Sequence, residues 1–222
     1  MSYIDALYKK DEDKIYVVER DPKKGRVFVD YDARYVFYYP DARGKHRSMT
    51  GEALQKVQCS TSKEFIKEQR IRSNKTLYEQ DINPVFRCLE ENYLGKETPK
   101  LNVLFFDIEV DFDPEKGYST TDDPFMPITA ISCYMEWTDQ LVTLAVPPKT
   151  LTMQEAKVLT ERFPNTMLFE KEKDMLDAFL QLVEDADILS GWNSEGYDIP
   201  YTVGRIQKVL SSDDTRRLCF WG

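Results

Sequence analysis

Along this chain the spacing of apolar side chains changes period several times, and each change marks a predicted element. Two alternating runs, Lys14-Ile-Tyr-Val-Val-Glu-Arg20 and Arg26-Val-Phe-Val-Asp30, flank the turn Asp21-Pro-Lys-Lys-Gly25. Runs rich in β-branched and aromatic residues around an Asp-Pro-Gly turn predict a β-hairpin, and Arg34-Tyr-Val-Phe-Tyr-Tyr39 predicts a third strand. Thr61-Ser-Lys-Glu64 has the form of a capping box ahead of a charged helix. This part of the chain reads as a small mixed domain, a β-sheet with one or two helices.

The polar stretch Gly95-Lys-Glu-Thr-Pro99-Lys100 contains both chain breakers and predicts a domain junction, giving domains at 1–98 and 99–222. Beyond it, strands are expected at about 102–110, 127–136 and 140–146. Thr152-Met-Gln-Glu155 caps a helix running to about Arg162, and a short strand follows around Met167-Leu-Phe169. Met175, Leu176, Phe179, Leu180 and Val183 recur at helical spacing, Asp187-Ile-Leu-Ser190 returns a strand, and Ile199, Val203, Ile206, Val209 and Leu210 mark a last helix. Consecutive strands followed by helix-linked strands place the chain in the α/β (α+β) class. There is no internal repeat and no low-complexity tract.

Composition narrows the chemistry. The 222 residues, 41% apolar and 13% aromatic, suffice for one sizeable domain or two smaller ones. No long apolar run predicts a membrane-spanning helix, and the polar start Met-Ser-Tyr-Ile-Asp is not that of a signal peptide, so a cytoplasmic protein without a membrane partner is expected. Cys59, Cys88, Cys133 and Cys219 lack C-x-x-C spacing, which predicts reduced thiols and argues against zinc. His46 is the only histidine, which leaves carboxylates as the expected acid–base and metal-binding groups. The net charge of −9 is uneven: residues 1–100 sum to about +3 and residues 101–222 to about −12.

Two segments about ninety residues apart carry the candidate site. In Leu101-Asn-Val-Leu-Phe-Phe-Asp107-Ile-Glu109-Val110 a strand's two-residue period puts both carboxylates on one face and Ile108 on the other. Hydrolysis of a phosphodiester needs an activated water and a neutralised leaving oxygen, which two cations roughly 4 Å apart supply. Mg²⁺ prefers oxygen ligands, so Asp107 would bridge both ions and Glu109 would bind one. In Ile188-Leu-Ser-Gly-Trp-Asn193-Ser-Glu-Gly-Tyr197-Asp198-Ile-Pro-Tyr201 a strand end gives way to a helix start, with Pro200 in the first turn and Asp198 at or near the N-cap. Each piece alone has a plainer reading: Asp-x-Glu as strand-end solvation, Asp198 as a helix cap. The two together, each at a strand end, favour a metal site.

Phe105-Phe-Asp107-Ile-Glu109-Val110 resembles the first exonuclease motif of family B DNA polymerases, and Gly191-Trp-Asn193-Ser-Glu-Gly-Tyr197-Asp198-Ile-Pro-Tyr201 resembles their second. The latter is most similar to the form found in polymerases of T-even-like bacteriophages. The resemblance implies a family amino-terminal domain followed by a ribonuclease H-like 3′-5′ exonuclease domain. It also implies that Asp107, Glu109 and Asp198 are three of four catalytic carboxylates, binding two divalent ions, Mg²⁺ or Mn²⁺. Asn193 would lie near the terminal nucleotide, Tyr197 would pack beside it or support Asp198, and an aromatic of the 111–127 loop, Tyr118 or Phe125, would wedge against bases. The implied partners are a single-stranded DNA 3′ end or primer-template DNA, with RNA also open, and the remaining polymerase domains or a separately encoded polymerase subunit. A phage-encoded protein would act in the host cytoplasm.

The family's third motif, Tyr-x-x-x-Asp, belongs downstream of the second, and the chain ends about two dozen residues after Asp198. Tyr118-Ser-Thr-Thr-Asp122 matches formally but precedes the second motif in a turn-rich stretch, and reads as coincidence. With the palm also missing, the expectation is an exonuclease domain truncated on its C-terminal side, with weak or no activity. Two alternatives stand beside it: a non-catalytic nucleic-acid-binding piece, and an assembly half of a split polymerase. Arg43, Lys45, Arg47, Lys67, Arg70, Arg72 and Lys75 would either track a phosphate backbone or form a solvated face. Tyr35, Phe37, Tyr38 and Tyr39 would either stack bases or fill the sheet core.

Overall fold

A computed structural model describes residues 2–221. The chain divides into two compact units, Met1–Pro99 and Lys100–Gly222.

In the first unit, β1 (Ser2–Lys9), β2 (Lys14–Asp21) and β3 (Gly25–Asp32) form an antiparallel sheet in the order β1-β2-β3. The β2–β3 turn is set by Asp21, whose Oδ1 accepts the N–H groups of Lys23 and Lys24 at 2.8 and 2.9 Å, and by Gly25 at φ +72°. A second sheet, in the order β4-β6-β5, comprises β4 (Tyr35–Pro40), β5 (His46–Arg47) and β6 (Ala53–Cys59). Two sheets therefore stand where the sequence pattern suggested one. The Ala33 N–H bonds to the Asp13 carbonyl, and the chain then turns so that β4 pairs with β6 instead of extending the hairpin sheet.

Helices α1 (Ser62–Ile71) and α2 (Pro84–Tyr93) complete the unit. Thr61 caps α1 by accepting from Glu64 N at 3.2 Å, but the Glu64 carboxylate reaches back to Ser60 N, so the expected box closes one residue early. Asp13, in the left-handed region at φ +51°, accepts the Tyr35 hydroxyl and the Ser62 N–H and so ties β2, β4 and α1 together. Tyr35 and Phe37 are buried: they are core, not a stacking surface.

The second unit is one five-stranded sheet in the order β10-β9-β8-β7-β11. Its central strands β7 (Val103–Val110), β8 (Ile128–Met135) and β9 (Gln140–Ala145) are antiparallel. After α3 (Met153–Thr160), β10 (Thr166–Leu168) joins parallel to β9. After α4 (Glu172–Val183), β11 (Ile188–Ser190) joins parallel to β7, and α5 (Asp198–Val209) follows, with a 3₁₀ turn at Asp214–Leu218. This is the mixed order expected of a ribonuclease H-like α/β sheet. Thr152 and Glu155 close the full capping box of α3.

The two-residue period of β7 sorts its side chains. Leu104, Phe106 and Ile108 are buried in one core with Met175, Phe179 and Leu180 of α4 and Tyr201 and Ile206 of α5. Phe105, Asp107 and Glu109 point to the opposite, exposed face.

Candidate active site at the end of β7

The site is built where β11 stops. Its last residue, Ser190, lies opposite Phe105, so further along β7 the edge has no strand partner on that side. The next residue is Gly191, where a Cβ would lie 2.3 Å from the Phe106 carbonyl oxygen. Only glycine lets the chain leave β11 that close to β7. The chain then turns through Asn193 in the left-handed region at φ +53°, which Asn tolerates better than most residues. The Asn193 carbonyl accepts the N–H groups of Gly196 and Tyr197 at 2.9 and 3.0 Å, and the Ser194 carbonyl accepts from Ile199 at 2.9 Å.

This turn delivers Asp198 to the open edge. Asp198 is the first residue of α5, and Tyr197 occupies the cap position without a side-chain cap bond. Asp198 thus stands next to the N-cap, within the placement its sequence position suggested, and its Oδ1 accepts the backbone N–H of Ile108 at 3.2 Å. The residue is buried, and burial raises its pKa above the usual carboxylate range; the Asp107 charge adds to the rise, against hydrogen bonds from Ile108 and its own backbone. An acid so placed favours a nearby cation.

The structure thus brings Asp198 within electrostatic reach of Asp107, with Glu109 two residues along on the same exposed face of β7. Among the described residues, no group of three or more His, Cys, Asp or Glu side chains is arranged to hold a metal ion. What is assembled is a pair. Its donor chemistry, hard carboxylate oxygens around one buried acid, suits Mg²⁺ or Mn²⁺.

The other sequence candidates are placed as follows. Tyr197 is half-buried and its ring stacks on Tyr201 with centroids 5.4 Å apart; burial raises its pKa. The Asn193 side chain lies over its own turn, since a Cβ on Gly196 would come within 2.5 Å of the Asn193 Oδ1. Tyr118 is 85% exposed, with its ring 4.9 Å from that of Phe112, and Phe125 lies beneath the Lys116 ammonium. Asp122 is exposed. In the first unit Arg72 pairs with Glu68, and Arg72 and Lys75 both lie over the Tyr39 ring. Cys133 is buried and its thiol is pushed up to about 12, so it is no nucleophile.

Sequence reading missed three features: the close approach at Gly191, the Ile108 N–H as the anchor for Asp198, and a buried arginine, Arg205, on α5. The last had a signal, because a charged residue adjoining Ile206 on the buried stripe of an amphipathic helix needs a partner.

A family model described as DNA polymerase family B, exonuclease domain, matches residues 48–221. The DNA-directed DNA polymerase of Enterobacteria phage T4 is 38% identical over 53 residues, 23% of this chain and 6% of that polymerase. The DNA polymerase delta catalytic subunit of Plasmodium falciparum is 26% identical over 157 residues, 67% of this chain and 13% of the relative. The DNA polymerase catalytic subunit of Saimiriine herpesvirus 2 is 30% identical over 117 residues, 52% of this chain and 11% of the relative. The chain spans 13% or less of the length of these curated relatives.

Proposed function

The chain belongs to the family B DNA polymerases, matching their exonuclease domain over residues 48–221, and from that premise we propose that it contributes the proofreading site of a replicative polymerase. The reaction is hydrolysis of the terminal phosphodiester at a DNA 3′ end. The observation that carries this reading is the Asp198–Ile108 hydrogen bond, which fixes the carboxylate of the second motif beside the strand that bears Asp107 and Glu109.

The exonuclease domain of this family is generally metal-dependent. Two divalent ions of the Mg²⁺ or Mn²⁺ class, when bound, lower the pKa of the attacking water and neutralise charge on the leaving oxygen. In this reading Asp107 and Glu109 of β7 and Asp198 of α5 are the residues that would hold them. Asn193 and Tyr197 shape the pocket for the terminal nucleotide, and Tyr118 offers an exposed ring to a base. The acidic charge keeps DNA away until cations enter, so substrate binding depends on metal as the chemistry does.

The test is digestion of a 5′-labelled single-stranded oligonucleotide with Mg²⁺ or Mn²⁺ beside an Asp107→Ala control. Shortening from the 3′ end that disappears in the control supports the reading. Folded protein that leaves the oligonucleotide intact overturns catalysis for this chain.

One observation favours a second reading, assembly with further polymerase domains or a separate subunit. The exposed sheet face carries Phe105, Leu141 and Ile188 at 43, 51 and 40% exposure, with Tyr134 stacked on Phe105. Concentration-dependent complex formation with such a partner, lost in Phe105→Ser, is its test.

A further inference from the structure

The loop between β7 and β8 is joined to α5 by one face of that helix. Tyr201, Gly204 and Arg205 recur at i, i+3 and i+4, and each meets the end of the loop. The Tyr201 hydroxyl donates to the Met126 carbonyl at 2.8 Å. At Gly204 a Cβ would come within 2.5 Å of Pro124 Cγ, so the helix and the loop touch there. The Arg205 guanidinium donates through one nitrogen to the carbonyls of Pro124 and Phe125 at 2.9 and 3.3 Å. Its other two nitrogens make a bidentate pair with Glu172 of α4, and Glu172 Oε1 in turn accepts the Ile128 N–H at 2.8 Å. Arg205 is 8% exposed, so this network is nearly dry and its geometry is stiff.

The network extends to the neighbour of Tyr118. Ser119 is buried, its hydroxyl donates to the Asp123 carbonyl at 2.9 Å, and it accepts the Met126 N–H at 3.2 Å. The exposed Tyr118 ring thus stands one residue from a brace fastened through Met126 to α5. The same helix begins with Asp198.

We infer that Arg205 is a positioning residue: by clamping the Pro124–Phe125 carbonyls to α5 and α4 it fixes the Tyr118 ring relative to Asp198, so that a single-stranded DNA 3′ end meets stacking surface and carboxylates in one register. This rests on the nucleic-acid reading of the site. Lysine cannot replace the arginine, because a single ammonium cannot span a carboxylate and two carbonyls at once.

The test is binding of a fluorescein-labelled single-stranded oligonucleotide to the full chain, followed by anisotropy, with Ca²⁺ in place of Mg²⁺ to prevent cleavage. Arg205→Lys, Tyr118→Ala and the double variant form a cycle that separates positioning from general destabilisation. Each single change should weaken binding roughly tenfold, the scale of one base–aromatic stack, and the double should be no weaker than either single. Ser119→Ala removes the brace without leaving a buried charge, and should also lose affinity; it carries the test if Arg205→Lys does not fold. Losses that multiply to roughly a hundredfold in the double variant, or wild-type affinity in Arg205→Lys, or in Ser119→Ala where Arg205→Lys does not fold, overturn the inference while the nucleic-acid reading stands. A wild-type chain that binds no oligonucleotide overturns both.

Discussion

The Asp198 carboxylate and the Ile108 N–H, 90 residues apart in the chain, meet at 3.2 Å across the open edge of β7. The bond has a structural and a chemical role. It satisfies a backbone donor that β11 leaves uncovered, and it holds a buried acid beside Asp107.

The two roles separate by substitution. Asp198→Asn keeps an acceptor for Ile108 and should change stability by less than about 1 kcal/mol, whereas Asp198→Ala orphans the N–H and should cost about 1–3 kcal/mol. Both should abolish Mn²⁺ binding at the site and lower metal-dependent hydrolysis by roughly a hundredfold or more. Urea unfolding and Mn²⁺ titration of the two variants check this. Equal stability loss in both would mean that the hydrogen bond contributes nothing.

Gly191→Ala should destabilise the second unit by about 1–3 kcal/mol, because the new methyl would meet the Phe106 carbonyl oxygen at 2.3 Å and backbone must shift. The shift would move the Asn193 turn, so metal affinity should fall with stability. Calorimetry and the same Mn²⁺ titration measure the two effects.

Glu172→Ala should cost about 3–5 kcal/mol, since it leaves the Arg205 guanidinium buried without its carboxylate. By contrast Lys208→Ala, which breaks an ion pair with Asp123 whose side chains are 45 and 72% exposed, should cost less than about 1 kcal/mol. Urea midpoints of the two variants compare a desolvated pair with a solvated one in the same unit.

Asp13 predicts an acid dependence for the first unit. Burial alone would raise its pKa, but hydrogen bonds from Tyr35 and Ser62 outweigh it and hold the carboxyl below the ordinary aspartate range. A lowered folded pKa means stabilisation that is fully present above the unfolded value and lost as pH falls through the folded one. The stability difference between wild type and Asp13→Asn should therefore be constant from about pH 5 to 7 and shrink below about pH 4. An unchanged difference in the acid range would mean that the Asp13 hydrogen bonds do not stabilise the folded unit through its charge.

Legibility from sequence followed locality. The strands β7, β8 and β9 and the helices α3 and α4 lay within a residue or two of expectation at most boundaries, because one buried face writes a clear period into each. β1 went unread: it is an edge strand with no fully buried residue, so its alternation is shallow. β6 went unread because Gln55, Lys56 and Gln58 dilute its apolar signal, and its pairing with β4 joins residues far apart in the chain. The site divides in the same way. Asp107 and Glu109 share a face by strand period alone, but the partner of Asp198 is a backbone group that no side-chain pattern reports.

The sequence by itself determined the family motifs, the pair of carboxylates on β7, the helix that begins at Asp198, and the acidity of the second half. These are local facts, fixed by residue identity and by periods of two and 3.6. Only the tertiary structure decided that β11 would stop at Ser190, that Gly191 would pass against Phe106, and that Asp198 would fill the resulting gap rather than cap its helix. It also decided that Arg205 would clamp the loop after β7. The first three depend on where β11 ends beside β7, and the clamp on which loop carbonyls face α5; unpaired backbone groups at such places must find partners that spacing along the chain does not specify.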